Sequence, residues 1–118
     1  MNKEEVKQIL LQNNITVKKK YGQNFLLDES ILNNIVLKSN IKENSYIVEI
    51  GPGLGFLTKK LSQCANKVLC YEIDEQMVNI LVKENYNNVE IIKDDFLKRN
   101  LDEDFLKFAK GKKIMIIS

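Results

Sequence analysis

The sequence contains no histidine, and that absence removes a whole class of chemistry. No imidazole is available to ligate a metal or to act as a general base near neutral pH. Any function therefore rests on carboxylates, amides, backbone groups and lysines. Cysteine is scarce. Cys64 and Cys70 have five residues between them, which matches neither a zinc-ligand spacing nor a redox pair. Cys70 lies in an apolar run and Cys64 near an expected helix end, so both read as inert thiols of a reducing compartment. Long hydrophobic runs are missing too. The longest, such as Ile114 to Ile117, have four residues, against the ~20 that a membrane helix needs. The opening residues, Met1-Asn2-Lys3-Glu4-Glu5, have neither the apolar core nor the small-residue cleavage site of a secretory signal. A cytoplasmic location without a membrane partner is expected.

What is present describes a globular chain. Of 118 residues, 44% are hydrophobic and 29% charged, enough to bury a core in one domain or a part of one. The net charge of +2 is too small to establish a nucleic-acid partner. Residues 1–20 are more basic, with five lysines against two glutamates and the run Lys18-Lys19-Lys20. A solvated loop is the ordinary reading of that run, and a phosphate contact the sharper one.

The hydrophobic period changes along the chain. Lys3 to Gln12 is expected as a short helix, with Glu4 and Glu5 in its first turn and Val6, Ile9 and Leu10 on one face. Thr16 to Gln23 reads as a loop. Asp28 is placed to cap a second helix, with Leu27 and Leu32 as a hydrophobic staple and Ile31, Leu32, Ile35 and Val36 as the buried stripe. That helix should fade near Ser39-Asn40. Strand and helix then alternate: strands at Tyr46 to Ile50, Lys67 to Glu72, Val89 to Lys93 and Lys113 to Ser118. Between them lie helices at Leu54 to Ala65, after an Asp74 cap with Met77, Leu81 and Val78 inward, and at Asp102 to Lys110. The last should pack Phe105, Leu106 and Phe108 and close at Gly111. This alternation predicts right-handed crossovers and a parallel sheet in the order 3-2-1-4. Ligands of such sheets bind beyond the carboxyl ends of the strands, which directs attention to the loops after Ile50, Glu72 and Lys93.

The first loop, Glu49-Ile50-Gly51-Pro52-Gly53-Leu54-Gly55, brings bare backbone to a helix start, as any tight strand-to-helix turn also can. Strand 2 ends in Glu72, twenty-one residues after Gly51, where an acid can accept bonds from the vicinal hydroxyls of a ribose. Asp74 already serves as the cap, which leaves Glu72 without an evident structural duty. After strand 3 come Asp94, Asp95 and Phe96. Two adjacent carboxylates repel, so a purely structural reason for both is not evident; one of them can accept from an adenine amine, and the phenyl ring can pack beside the base. Ribose acid and adenine acid together outline an adenosine pocket. A dinucleotide fingerprint would place its third glycine at position 56, where this chain has Phe; its third glycine is Gly55. S-adenosylmethionine has no pyrophosphate to cradle, and Glu49 can help hold its cationic amine. It is the expected cofactor.

The segment Lys19-Lys20-Tyr21-Gly22-Gln23-Asn24-Phe25-Leu26, followed by Glu49 to Gly55, resembles the ribosomal RNA adenine N6,N6-dimethyltransferase family. The likeness spans nearly the whole chain. Gly22, Pro52 and Leu54 favour the small-subunit enzymes over their large-subunit relatives of the macrolide-resistance type. The resemblance implies a Rossmann-like class I methyltransferase fold, to which the two amino-terminal helices read from the pattern are added. It implies dimethylation of two adjacent adenines in small-subunit ribosomal RNA, with that RNA or an immature small subunit as partner. It assigns Asn24 and Leu26 to a segment over the cofactor, Gly51 to backbone approach, Glu72 to the ribose and Asp95, in preference to Asp94, to the adenine amine. Without it, Asn24 would read as a self-bonded loop residue and Leu26 as a core contact. In the family, strand 4 leads into Asn-Leu-Pro-Tyr, which holds the target adenine. This sequence ends at Ser118, where that motif is expected to begin. Residues 1–118 are therefore read as the amino-terminal part of the cofactor-binding domain, with no catalytic residue among them. Alternatives are the large-subunit methyltransferase, a nicotinamide-dependent oxidoreductase and a non-catalytic binding module. Strand 4, apolar on both faces, is also expected to pair with a second chain if left at an edge.

Overall fold

The computed structural model describes residues 29–118. The expected helix at Lys3 to Gln12, the loop from Thr16 to Gln23, the Asp28 cap with its Leu27 staple, and Asn24 and Leu26 all lie outside the described residues. The elements run α1 (Glu29–Lys38), β1 (Tyr46–Ile50), α2 (Phe56–Cys64), β2 (Lys67–Glu72) and α3 (Glu75–Glu84). They continue with β3 (Val89–Lys93), a 3-10 turn (Phe96–Lys98), α4 (Leu101–Ala109) and β4 (Ile114–Ile117). All strands pair in parallel, in the expected order β3-β2-β1-β4.

Alternation along the strands supplies two apolar faces, and both are covered. Val48, Leu69 and Tyr71 pack with Phe108 and Ala109 of α4. Ile47, Val68 and Cys70 pack with Leu61 of α2, and Val36 of α1 adds to that cluster. Burying each Val, Leu, Ile or Phe side chain among these contributes roughly 1.5–3 kcal/mol, against typically ~1 kcal/mol for a helix cap, so the strands and the helix faces on them carry most of the stability. In α1 Leu32 is buried and Ile35 and Val36 half-buried, but Ile31 faces water, which trims the predicted stripe by one residue.

Helix ends show where local chemistry overrode periodicity. α2 starts at Phe56, not Leu54, because Gly53 and Gly55 both take left-handed backbone. Leu54 is buried all the same, from the loop. Asp74 caps α3 as expected, accepting from the amides of Gln76 (2.9 Å) and Met77 (3.4 Å). Met77, Ile80 and Leu81 are the buried positions of that helix, and Val78 is only half-buried. α4 is capped by Asn100, whose side chain accepts from Glu103 N at 3.2 Å. Phe108 is buried and Phe105 partly so, but Leu106 is 65% exposed, a correction to the expected inward face. Two successive left-handed residues, Lys110 (φ 52°) and Gly111 (φ 87°), close the helix.

At the amino ends of the strands, one side chain joins three segments. The Asn88 amide, just before β3, donates to the carbonyls of Ser62 (2.8 Å), Asn66 (3.3 Å) and Ala65 (3.4 Å) at the end of α2. Its own carbonyl accepts from Val68 N at 2.9 Å.

Candidate functional site

Parallel register brings the three carboxyl ends into a row. Ile50 stands opposite Tyr71, and Glu72 opposite Lys93. Gly51 N donates to Tyr71 O at 2.9 Å, so the first loop leaves the sheet beside the end of β2. A cleft of about 950 Å³ opens there, and Gly51, Glu72 and Asp95 all line it. The three predicted contacts that fall within the described residues thus share one cleft.

The glycines of the first loop have two different tasks. A methyl group placed on Gly51 or Gly53 would meet nothing within 4 Å, so the backbone there is bare and open to a ligand. On Gly55 it would lie 2.5 Å from Leu81 Cδ2 of α3. Gly55 therefore lets the start of α2 approach α3 closely, a contact between helices where the third glycine of dinucleotide sites serves helix and strand, and Phe56 is buried beside it.

Glu72 is 5% exposed and its carboxylate is already partly engaged. Oε1 accepts from Gly53 N and Oε2 from Asp74 N, both at 3.0 Å. The expectation that it has no structural duty is corrected: it ties the glycine loop to the start of α3. Each oxygen keeps a further lone pair for a ligand. Glu49, at the cleft floor, is 4% exposed. Its Oε1 accepts from Thr58 Oγ1 at 2.6 Å and from Cys70 Sγ at 3.7 Å, while Oε2 has no partner among the described residues. Burial pushes its carboxyl up to about 7, against the opposing effect of the Thr58 and Cys70 bonds and with some help from Glu72. Burial, with Glu49 beside it, likewise raises the Cys70 thiol above its usual range, as befits an inert thiol.

The adjacent carboxylates after β3 also have structural work, contrary to the expectation from repulsion. Asp94 Oδ1 accepts from Asp95 N (2.7 Å) and Oδ2 from Arg99 Nη1 (3.3 Å). Asp95 Oδ1 caps the 3-10 turn through Leu97 N (3.0 Å). Phe96 sets its ring edge-on to Tyr71 at 5.1 Å. Four residues of this region escaped the sequence reading: Thr58, Arg99, Ile73 and Leu97. Ile73 (53% exposed) and Leu97 (87% exposed) give the cleft apolar walls. Ile73 directly follows a strand-end acid, and that position was the available signal.

A model of the family described as ribosomal RNA adenine dimethylase matches residues 14–118. The chain belongs to that family. Among its relatives is ribosomal RNA small subunit methyltransferase A of Onion yellows phytoplasma (strain OY-M). The two are 56% identical over 90 residues, which cover 76% of this chain and 33% of that relative. A crystal structure of a dimethyladenosine transferase from Plasmodium falciparum matches at TM-score 0.57 and 37% identity, covering 61% of this chain and 28% of the other. The 23S rRNA methyltransferase ErmE matches at TM-score 0.61, covering 77% and 45%; at 24% identity that likeness speaks for the fold. The chain spans about a third of the length of the curated relatives it matches. Its sheet has the strand order expected of class I methyltransferases. Among the described residues no helix is long and apolar enough to cross a membrane.

Proposed function

We propose that the cleft binds S-adenosylmethionine, and that the chain is the amino-terminal, cofactor-binding part of a cytoplasmic enzyme. That enzyme dimethylates N6 of two adjacent adenines in small-subunit ribosomal RNA, free or in an immature subunit. The observation that carries this is the convergence of Gly51, Glu72 and Asp95 at three successive strand ends of a dimethylase-family chain. The residues fit the cofactor. Gly51 and Gly53 offer open backbone, and Glu72 has spare lone pairs for two ribose hydroxyls. Asp95 has one carboxylate oxygen uncommitted among the described residues, for the adenine amine. Glu49 Oε2 is the buried acceptor for a cationic amine. Asn24 and Leu26 are assigned, through the family resemblance, to the segment that covers the cofactor. Bound there, the sulfonium would supply the methyl group. The chain's own groups hold the donor, and none of those described is assigned to the acceptor adenine.

The test is calorimetric titration with S-adenosylhomocysteine and with its analogue lacking the ribose hydroxyls. Losing both hydroxyls should weaken binding by about 1.5–3 kcal/mol for each hydrogen bond to the charged carboxylate that is lost. Glu72→Ala should erase the difference between the two ligands. Because Glu72 also holds two loop amides, that variant should lose stability as well, and the ligand comparison separates the two effects. Equal affinity of the unsubstituted chain for both ligands would sink the assignment of Glu72 to the ribose.

A further inference from the structure

The tripeptide Asp94-Asp95-Phe96 is gripped at both ends, and its middle residue keeps one carboxylate oxygen without a partner among the described residues. At its start, Arg99 Nη1 donates to Asp94 Oδ2 at 3.3 Å. The rest of the same guanidinium forms a two-pronged bond to α4: Nε to Asp104 Oδ2 at 2.9 Å and Nη2 to Asp104 Oδ1 at 3.0 Å. At its end, Phe96 rests edge-on against Tyr71 of β2. The Tyr71 hydroxyl donates to Asp104 Oδ2 at 3.0 Å. Both grips therefore meet on one carboxylate, which is only 9% exposed. The Arg99 bonds hold Asp104 below the usual carboxylate range, while burial opposes them and the Tyr71 bond helps.

This arrangement makes the two neighbouring acids unlike. Asp94 spends one oxygen on the Asp95 amide and the other on Arg99. Asp95 spends one on the Leu97 amide, and its other oxygen has no partner among the described residues. We infer that Arg99 is a positioning residue for the purine end of the cleft. Both acids line the cleft, but by occupying the second oxygen of Asp94 it leaves Asp95 with the free carboxylate oxygen of the pair, and so sets the preference for a purine with an exocyclic 6-amino group. This rests on the cofactor reading above and extends it to a residue that itself touches no ligand. A lysine could not do the same work, since a point charge cannot span two carboxylates with a planar fork.

The experiment compares the affinity of the chain for S-adenosylhomocysteine with that for its 6-oxopurine analogue, before and after Arg99→Gln and Arg99→Lys. A purely structural role would lower both affinities together. Positioning of Asp95 instead predicts that their ratio falls by about tenfold in Arg99→Gln, the order of one hydrogen bond to a charged group. Arg99→Lys, which keeps the charge and the packed stem, should lower the ratio too and supplies the answer if the glutamine variant does not fold. A ratio unchanged in every variant that folds overturns the role of Arg99 while leaving the cofactor site intact. Failure of the unsubstituted chain to bind either ligand overturns the site itself, and this inference with it.

Discussion

Glu49 shows what burial does to a single group. Its carboxyl is raised from 4.5 to about 7 by burial. Below pH 4.5 the folded and unfolded chains both hold that proton, and Glu49 makes no difference between them. Between 4.5 and 7 the unfolded chain gives it up first, so stability falls as pH rises; above 7 the loss is complete. From pH 5 to pH 8 the cost should be about 2–3 kcal/mol, since stability falls by roughly 1.4 kcal/mol per pH unit while the two states differ by one proton. Glu49→Gln keeps an acceptor for Thr58 and removes the proton, so denaturant melts of the variant should lack this part of the pH slope. Parallel slopes in the two proteins would show that the carboxyl is not held neutral. The residue scale was also where the sequence was hardest to read. Gly51 and Glu72 are singled out by their places at strand ends, and Asp95 is preferred to Asp94 only through the family resemblance. The extra bonds of Glu72 run to a residue nineteen positions away and to its near neighbour Asp74, and only the folded loop brings these together. Arg99 was in plain view, yet its meaning depends on Asp94 and Asp104 meeting at one guanidinium.

At the scale of elements, legibility followed the strength of the local signal. β1, β2 and β3 begin and end where apolar alternation meets glycine, a lysine or an acid, and their limits were read without error. Asp74 announced its helix. Asn100 did not, although Asn100 with Glu103 three residues on is the pattern of a capped helix start. Leu106 was misplaced because a short helix gives too few turns to fix its inner face by counting. β4 presents a different question. Among the described residues it pairs with β1 on one side only, and Ile116 is 51% exposed. An apolar strand with an open row of amides and carbonyls is a template for another strand. We therefore propose self-association of the 118-residue chain through β4. Sedimentation should show an apparent mass rising with concentration, and Ile116→Lys should suppress it. A monomer at every concentration, with the β4 amides strongly protected from exchange, would count against the proposal.

For the molecule as a whole, holding a methyl donor is half of a transfer. The accepting nitrogen must also be fixed ~3–3.5 Å from the methyl carbon and in line with the leaving sulfur. Around the cleft, Glu72 and Asp95 are assigned to the adenosine and Glu49 to the amine. The 118-residue chain is accordingly expected to bind cofactor and yet give no methylation of small-subunit RNA above the uncatalysed rate. The comparison is incorporation of labelled methyl groups by this chain and by one extended to the length of its curated relatives. Comparable turnover by both would place the catalytic groups within these residues. The two ends of the sheet are built differently for such a task. At the carboxyl ends, loops, bare glycines and partly used carboxylates surround open space. At the amino ends, the Asn88 amide stitches the last carbonyls of α2 to the entry of β3. The spacing of the strands, which aims the loops around the cleft, is thus held from the opposite end of the sheet.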